Sequence, residues 1–152
     1  MLYQGFSLLS IFYNANIESS FWFHPRLYSR GMYQDGVNKM INEISASELL
    51  ELQAQEAPVR LVDVRTAAEV AQAALPNAEH MVMHTIPLKI NDFERDQPIV
   101  FYCRTGARSA QVCHFLKQQG MDNVINLRGG IMDWVRQGHE AVSGEYMLAE
   151  AS

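Results

Sequence analysis

The sequence has little cysteine and no long apolar run, and both shortages exclude whole classes of protein. Only Cys103 and Cys113 stand among its 152 residues. A predicted helix would place Cys113 more than two turns from Cys103, so neither a structural disulfide nor a metal-ligand spacing results. The largely apolar run from Phe6 to Tyr13 is too short to cross a membrane. We therefore expect no transmembrane segment, no metal and a reducing compartment, the cytoplasm rather than the periplasm.

Positive charge is also in short supply. Twelve Lys and Arg against seventeen Asp and Glu leave a net charge of −5. A general nucleic-acid binder needs a basic face for phosphate contacts, so this balance argues against one. With 48% hydrophobic residues, the chain is long enough for one domain that buries about 68–70% of its unfolded surface.

The composition divides the chain into three regions. Residues 1–39 hold nine of the fifteen aromatic residues but show neither a strand nor a helix period, and we predict an extension of uncertain order. A cryptic signal peptide and translated upstream sequence, with the start at Met32 or Met40, are the alternatives, although no Lys or Arg precedes Arg26. Residues 40–143 form the predicted domain. Residues 144–152 are predicted to be a flexible tail.

Apolar periodicity predicts strands that alternate with helices through the domain. Ser45 and Thr66 are predicted to cap the first two helices, and Glu48 completes a capping box with Ser45. Such alternation implies crossover connections and a mainly parallel sheet covered on both faces. The strands are predicted at residues 41–44, 60–64, 80–84, 99–102 and 124–127, and the helices at 45–53, 67–73, 108–119 and 131–137. Residues 87–93 are predicted to be a loop with one helical turn.

The segment after the fourth predicted strand carries the chemistry. Cys103 falls between a buried strand and a helix, where unpaired N–H groups and the positive end of the helix dipole lower a thiol's pKa. Gly106 allows a tight turn whose N–H groups point inward as an anion-binding nest. Arg104 and Arg108 add fixed positive charge. The bland alternative, a buried cysteine beside a polar turn, does not explain this combination within six residues.

Three blocks of sequence resemble the rhodanese-like sulfurtransferases and stand in that family's order. The first resembles an early strand and turn, the second the active-site loop, and the third the late glycine pair and tryptophan. They are Leu61-Val62-Asp63-Val64-Arg65 with Glu69, Cys103-Arg104-Thr105-Gly106-Ala107-Arg108-Ser109, and Leu127-Arg128-Gly129-Gly130-Ile131-Met132-Asp133-Trp134. Where members commonly carry Gly-His-Ile-Pro-Gly-Ala, this chain departs, with Ala73-Ala74-Leu75-Pro76-Asn77-Ala78.

The resemblance implies an α/β rhodanese-like fold, with a central, mainly parallel five-stranded sheet and helices on both faces. It also implies a sulfurtransferase without a cofactor, in which Cys103 takes sulfane sulfur from thiosulfate or a similar donor and passes it as a persulfide to cyanide or a thiol. A protein donor or acceptor is a further possible partner. The implied substrate-binding residues are Arg104, Thr105, Gly106, Ala107 and Arg108, and the implied supporting residues are Asp63, Arg65 and Ser109.

Two other functions are weighed against this one. A cysteine phosphatase or arsenate reductase is disfavoured, because its loop is one residue longer and Ser109 stands where its arginine would be. A rhodanese-fold sulfur-relay carrier or binding module, fed by a protein persulfide, is the main alternative, since an intact cysteine loop cannot distinguish between small and protein donors.

Three other residues are considered for structural rather than catalytic roles. Arg128 is expected near the pocket mouth, or in a purely structural role. Trp134 and Cys113 are expected to be buried packing residues.

Overall fold

The computed structural model describes residues 41–55 and 58–143. The predictions for residues 1–39 and 144–152 fall outside this range and stay predictions. No helix within the described residues is long and apolar enough to cross a membrane.

Within the described residues, five strands and four α-helices alternate, with one 3-10 segment between the third and fourth strands. Their bounds are β1 Asn42–Ile44, α1 Ala46–Ala54, β2 Arg60–Asp63, α2 Ala67–Gln72, β3 Glu79–His80, the 3-10 segment Met83–Asp92, β4 Ile99–Tyr102, α3 Ala107–Gln118, β5 Val124–Leu127 and α4 Gly130–Arg136. The strand order is β1-β5-β4-β2-β3, and every neighbouring pair is parallel. The predicted fold class is therefore confirmed.

The apolar core lies in two layers, one on each side of the sheet. Ile99 and Phe101 of β4 pack in the layer that contains α3 and the 3-10 segment. Val100 and Tyr102 pack in the layer that contains α1 and α4. Successive strand residues point to opposite faces, so a fully buried strand needs apolar side chains at every position. Cys103 continues this alternation and belongs to the α3 layer.

Both predicted helix caps form. The Ser45 hydroxyl accepts the Glu48 N–H, and the Glu48 carboxylate accepts the Ser45 N–H at 2.7 Å. Thr66 and Glu69 repeat this capping box at the start of α2. The two boxes satisfy helix N–H groups that would otherwise lack partners.

The strand predicted at residues 80–84 is wrong in its extent. It ends at His80, and a 3-10 segment begins at Met83. The Thr85 N–H and hydroxyl both donate to the Val82 carbonyl, at 2.8 and 2.7 Å, and this local turn ends the strand. The 3-10 segment also replaces the predicted loop at 87–93, with one non-helical residue at Lys89.

Candidate active site

Cys103 follows the last residue of β4, the central strand, and α3 begins four residues later. Gly106 closes the turn between them with a φ of 95°, in the left-handed region. A Cβ at this position would lie 3.1 Å from the Leu127 carbonyl oxygen and 3.2 Å from the Gly129 nitrogen. Glycine is therefore needed at position 106 both for its backbone conformation and for the close approach of β5.

The Cys103 sulfur is surrounded by hydrogen-bond donors from this turn. The Gly106 N–H donates to Sγ at 3.2 Å, and the Ser109 Oγ lies 3.6 Å from it. Burial raises the pKa of the Cys103 thiol, while the backbone N–H of Ser109 lowers it. The N–H groups of Thr105 and Gly106 lower it further, and the result is a pKa below the ordinary value for cysteine. The arrangement can therefore hold an anionic sulfur.

Arg108 lies in the first turn of α3 and is held by Glu69 of α2. Its two terminal nitrogens donate to the two Glu69 carboxylate oxygens at 2.9 and 2.6 Å. Hydrogen bonds from Arg108 hold the pKa of Glu69 at about 2, with help from Thr66. Because a guanidinium has five N–H donors, this pair leaves further donors for another anion. Glu69 is named from the sequence only as part of the family resemblance, and its contact with Arg108 is not predicted there.

Asp63 and Arg65 form a buried ion pair at the end of β2. The Arg65 Nη2 lies 2.6 Å from the Asp63 Oδ2 and 2.6 Å from the Ala73 carbonyl oxygen, while its Nη1 reaches the Glu69 carbonyl at 3.5 Å. These bonds reach the carboxyl-terminal part of α2 rather than the Cys103 loop. The pair therefore contacts the helix that carries Glu69 and has no direct bond to the Cys103 loop.

An open groove of about 950 Å³ runs beside the loop. Arg104 and Thr105 line it from the loop, and Arg128 lines it from the end of β5. Its other lining residues include Met132 and Val135 of α4, each 52% exposed. Cys103 itself is only 1% exposed. The groove therefore combines cationic and apolar surface next to a nearly covered sulfur.

The start of α4 supports the loop from behind. The Ile131 N–H donates to the Cys103 carbonyl at 3.0 Å, and the Met132 N–H donates to the Arg104 carbonyl at 3.1 Å. A Cβ on Gly130 would lie 2.3 Å from the Cys103 carbonyl oxygen. With their carbonyls held by α4, the loop residues present their N–H groups to the sulfur.

Three residues named from the sequence lie apart from these contacts. Trp134 is buried in the core and donates to the Glu140 carbonyl at 2.7 Å. Cys113 is fully buried on α3, and burial raises the pKa of its thiol. Ala107 is the first residue of α3 and is exposed beside the loop. Both cysteines are free thiols.

Comparison with known proteins shows which family this chain resembles. A family model for the rhodanese-like domain matches residues 45–137. The chain is 46% identical over 106 residues to a sulfurtransferase of Allochromatium vinosum, covering 70% of this chain and 99% of the relative. It is 26% identical over 100 residues to the thiosulfate sulfurtransferase GlpE of Glaesserella parasuis, covering 66% and 92%. A crystal structure of a rhodanese-like domain protein from Staphylococcus aureus matches with a TM-score of 0.58 and 36% identity, covering 62% of this chain and 91% of that one.

Proposed function

The chain belongs to the rhodanese-like domain family, and on this premise we propose that it transfers sulfane sulfur from thiosulfate or a similar donor to cyanide or a thiol. The observation that carries the proposal is the Cys103 sulfur, which accepts the Gly106 N–H at 3.2 Å at the start of α3. A helix N-terminus favours an anion at this place, so the thiolate is available as the nucleophile near neutral pH.

In the first half-reaction, the Cys103 thiolate attacks the outer sulfur of thiosulfate. A new S–S bond forms to Cys103, the S–S bond of thiosulfate breaks, and sulfite leaves with its electron pair. The enzyme then carries a persulfide anion, so no proton has to be moved. This fits a loop that holds no histidine or other general base.

In the second half-reaction, a thiophilic acceptor attacks the terminal sulfur of the persulfide. Cyanide leaves as thiocyanate, or a thiolate leaves as a persulfide, and the Cys103 thiolate is restored. The groove lined by Arg104, Arg128 and Met132 is the side from which an acceptor larger than cyanide would approach. A protein partner, as donor or acceptor, would use the same face.

The loop residues divide the binding of substrate between them. The N–H groups of Thr105 and Gly106 stabilise charge on sulfur, and the exposed Ala107 borders the loop with its backbone, since it has no polar side chain. Arg104 and Arg108 attract the anionic end of the donor.

Three further residues support the loop and do not contact the donor. Ser109 packs beside the sulfur at the start of α3, and Asp63 with Arg65 holds α2 in place. Since a persulfide-forming thiol must stay reduced between turnovers, we propose the cytoplasm as its compartment.

Intact-protein mass spectrometry after incubation with thiosulfate tests the proposal. We expect the wild-type protein to gain the mass of one sulfur and to lose it when cyanide is added. Cys103→Ser should gain nothing, and the matched variant Cys113→Ser should behave as the wild type, because Cys113 is fully buried.

An adduct on Cys103→Ser would disprove Cys103 as the carrier. A Cys103 that is readily alkylated but gains no sulfur from thiosulfate would favour the carrier or binding module fed by a protein persulfide.

A further inference from the structure

A chain of hydrogen bonds, buried at Ser109 and Asn126 and ending at the exposed Glu43, connects the Cys103 sulfur to the edge of the sheet. Ser109 Oγ lies 3.6 Å from Sγ and 2.6 Å from Asn126 Oδ1, and Asn126 Nδ2 lies 2.7 Å from Glu43 Oε1. Ser109 is fully buried and Asn126 is 2% exposed. Glu43 and Asn126 are paired neighbours on β1 and β5, so their side chains lie on the same face of the sheet.

The chemistry of the three groups fixes the direction of this chain. A carboxylate only accepts hydrogen bonds, so Glu43 requires the NH₂ group of Asn126 to face it. The amide oxygen of Asn126 then faces Ser109. Since that oxygen carries no hydrogen, the proton in the 2.6 Å contact must come from the Ser109 hydroxyl.

The Cys103 sulfur would therefore have to compete with Asn126 for the single hydroxyl hydrogen of Ser109. The Ser109 hydroxyl has one hydrogen and three acceptors within reach, and the contact to Asn126 is the shortest of the three. With its proton directed to Asn126, the hydroxyl turns lone pairs toward Sγ. It then favours a Cys103 thiol as a hydrogen-bond donor more than it favours a thiolate.

We propose that Glu43 and Asn126 are positioning residues that hold the Ser109 hydroxyl away from the Cys103 sulfur and so restrain ionisation of the thiol. This restraint opposes the effect of the loop N–H groups, which favour the thiolate. It leaves the thiolate a stronger nucleophile, because nucleophilicity falls as a thiol becomes more acidic. The inference concerns the reactivity of the thiol and rests on the proposed function only for its catalytic meaning.

Other titratable groups lie near the two ends of this hydrogen-bond chain, Cys103 and Glu43. At Cys103, Arg108 of α3 interacts with the sulfur and is paired with Glu69 of α2. At the other end, Glu43 and Lys117 of α3 both interact with the Cys113 thiol, and Lys117 also donates to Asn42, the residue before Glu43. A test must therefore separate the hydrogen-bond chain from the direct effect of the Glu43 charge.

The pH dependence of Cys103 alkylation, read by mass spectrometry of the Cys103 peptide, measures the ionisation without any sulfur donor. In Glu43→Gln the amide of Asn126 is free to turn over and the Ser109 hydroxyl can donate to sulfur. We expect about threefold more thiolate at a pH below the wild-type pKa, which is a fall of about half a unit. The control Glu79→Gln removes an exposed carboxylate paired with Arg60 on the other edge of the sheet, and its profile should match the wild type.

A double-variant cycle separates the two mechanisms. In the Ser109→Ala background the hydroxyl is gone, so Glu43→Gln should no longer move the profile. An unchanged or raised Cys103 pKa in Glu43→Gln would overturn the proposal, and so would a shift of equal size in the Ser109→Ala background.

If Ser109→Ala does not fold, Glu43→Gln and the wild type are compared at low and high salt. A shift that travels through hydrogen bonds persists in high salt, whereas a shift through solvent-screened charge disappears and overturns the proposal. Failure of sulfur transfer itself would leave these alkylation results unaffected, so the two proposals can fail separately.

Discussion

The Arg108 guanidinium interacts with two anionic groups. It pairs with Glu69 through two short hydrogen bonds and interacts with the Cys103 sulfur. A substitution at this position therefore changes the anion site twice. It removes a cation, and it leaves the Glu69 carboxylate without its cationic partner beside the proposed site for an anionic donor.

We expect Arg108→Ala to raise the KM for thiosulfate by about tenfold and to lower kcat, because an anion meets an uncompensated carboxylate instead of a neutral pair. Steady-state kinetics with cyanide as the acceptor provide the measurement. Arg95→Ala is the control, since Arg95 donates to the Gly120 carbonyl at the far end of α3. Equal KM values for the two variants would remove Arg108 from the anion site.

The place of Cys103 between a strand and a helix, and the tight turn that follows it, were predictable from the sequence because their determinants are local. Cys103, Gly106 and Arg108 lie within six residues between a strand and a helix. The partners of these residues were not predictable. Glu69 is 39 residues from its partner Arg108, and Asn126 is 17 residues from its partner Ser109, so only the folded sheet brings them to the loop.

At the scale of elements, the loop between β4 and α3 depends on α4, which arrives later in the chain. Gly130 has a φ of 55°, and a Cβ there would meet the carbonyl oxygens of Cys103 at 2.3 Å and Arg104 at 2.7 Å. These are backbone atoms, so they cannot turn aside as a flexible side chain would. Any side chain at position 130 must push the loop away from α4.

We expect Gly130→Ala to lower the free energy of unfolding by about 1–3 kcal/mol through strain and to reduce sulfur transfer more than tenfold. Gly138→Ala is a matched control, because Gly138 also has a positive φ of 84° but its Cβ would meet no atom within 4 Å. Thermal melts and transfer rates on both variants distinguish the effects. If Gly138→Ala lost as much transfer activity as Gly130→Ala, backbone strain alone would explain the loss.

The same scale shows where sequence patterns succeed and fail for the fold. β4 and β5 have the predicted bounds, because a short, mostly apolar run between turn residues is typical of a strand in a covered sheet. The prediction of a strand at 80–84 was wrong in extent because a local turn at Thr85, which the apolar pattern does not indicate, ends the strand early. The N–H groups of Met81 and Met83 still donate to the Asp63 and Val64 carbonyls, but the turn at Thr85 bends the chain away.

At the scale of the whole molecule, the Glu69–Arg108 pair joins α2 to α3 and connects stability to pH. The folded-state pKa of Glu69, about 2, lies below the value of 4.5 for an unperturbed glutamate. A depressed carboxylate pKa adds stability above the unfolded-state value, and the gain disappears as the pH falls through the folded-state value. The window of loss is therefore between about 4.5 and about 2.

We expect the wild type to exceed Glu69→Gln in free energy of unfolding by about 1 kcal/mol near neutral pH, since water screens a pair as exposed as this one. The difference should shrink toward zero as the pH falls through that window. Urea unfolding of both proteins at several pH values measures it. A difference that stays constant with pH would show that the glutamine acts through packing or capping and not through charge.

The short outer strands of the sheet affect how the molecule meets its own copies. β1 has three residues and β3 has two, while each of the three inner strands has four. Growth of a sheet from one molecule into the next requires a long row of backbone groups at an edge, and outer strands this short provide a poor template. The folded domain should therefore resist growth of its sheet, edge to edge, into fibrils.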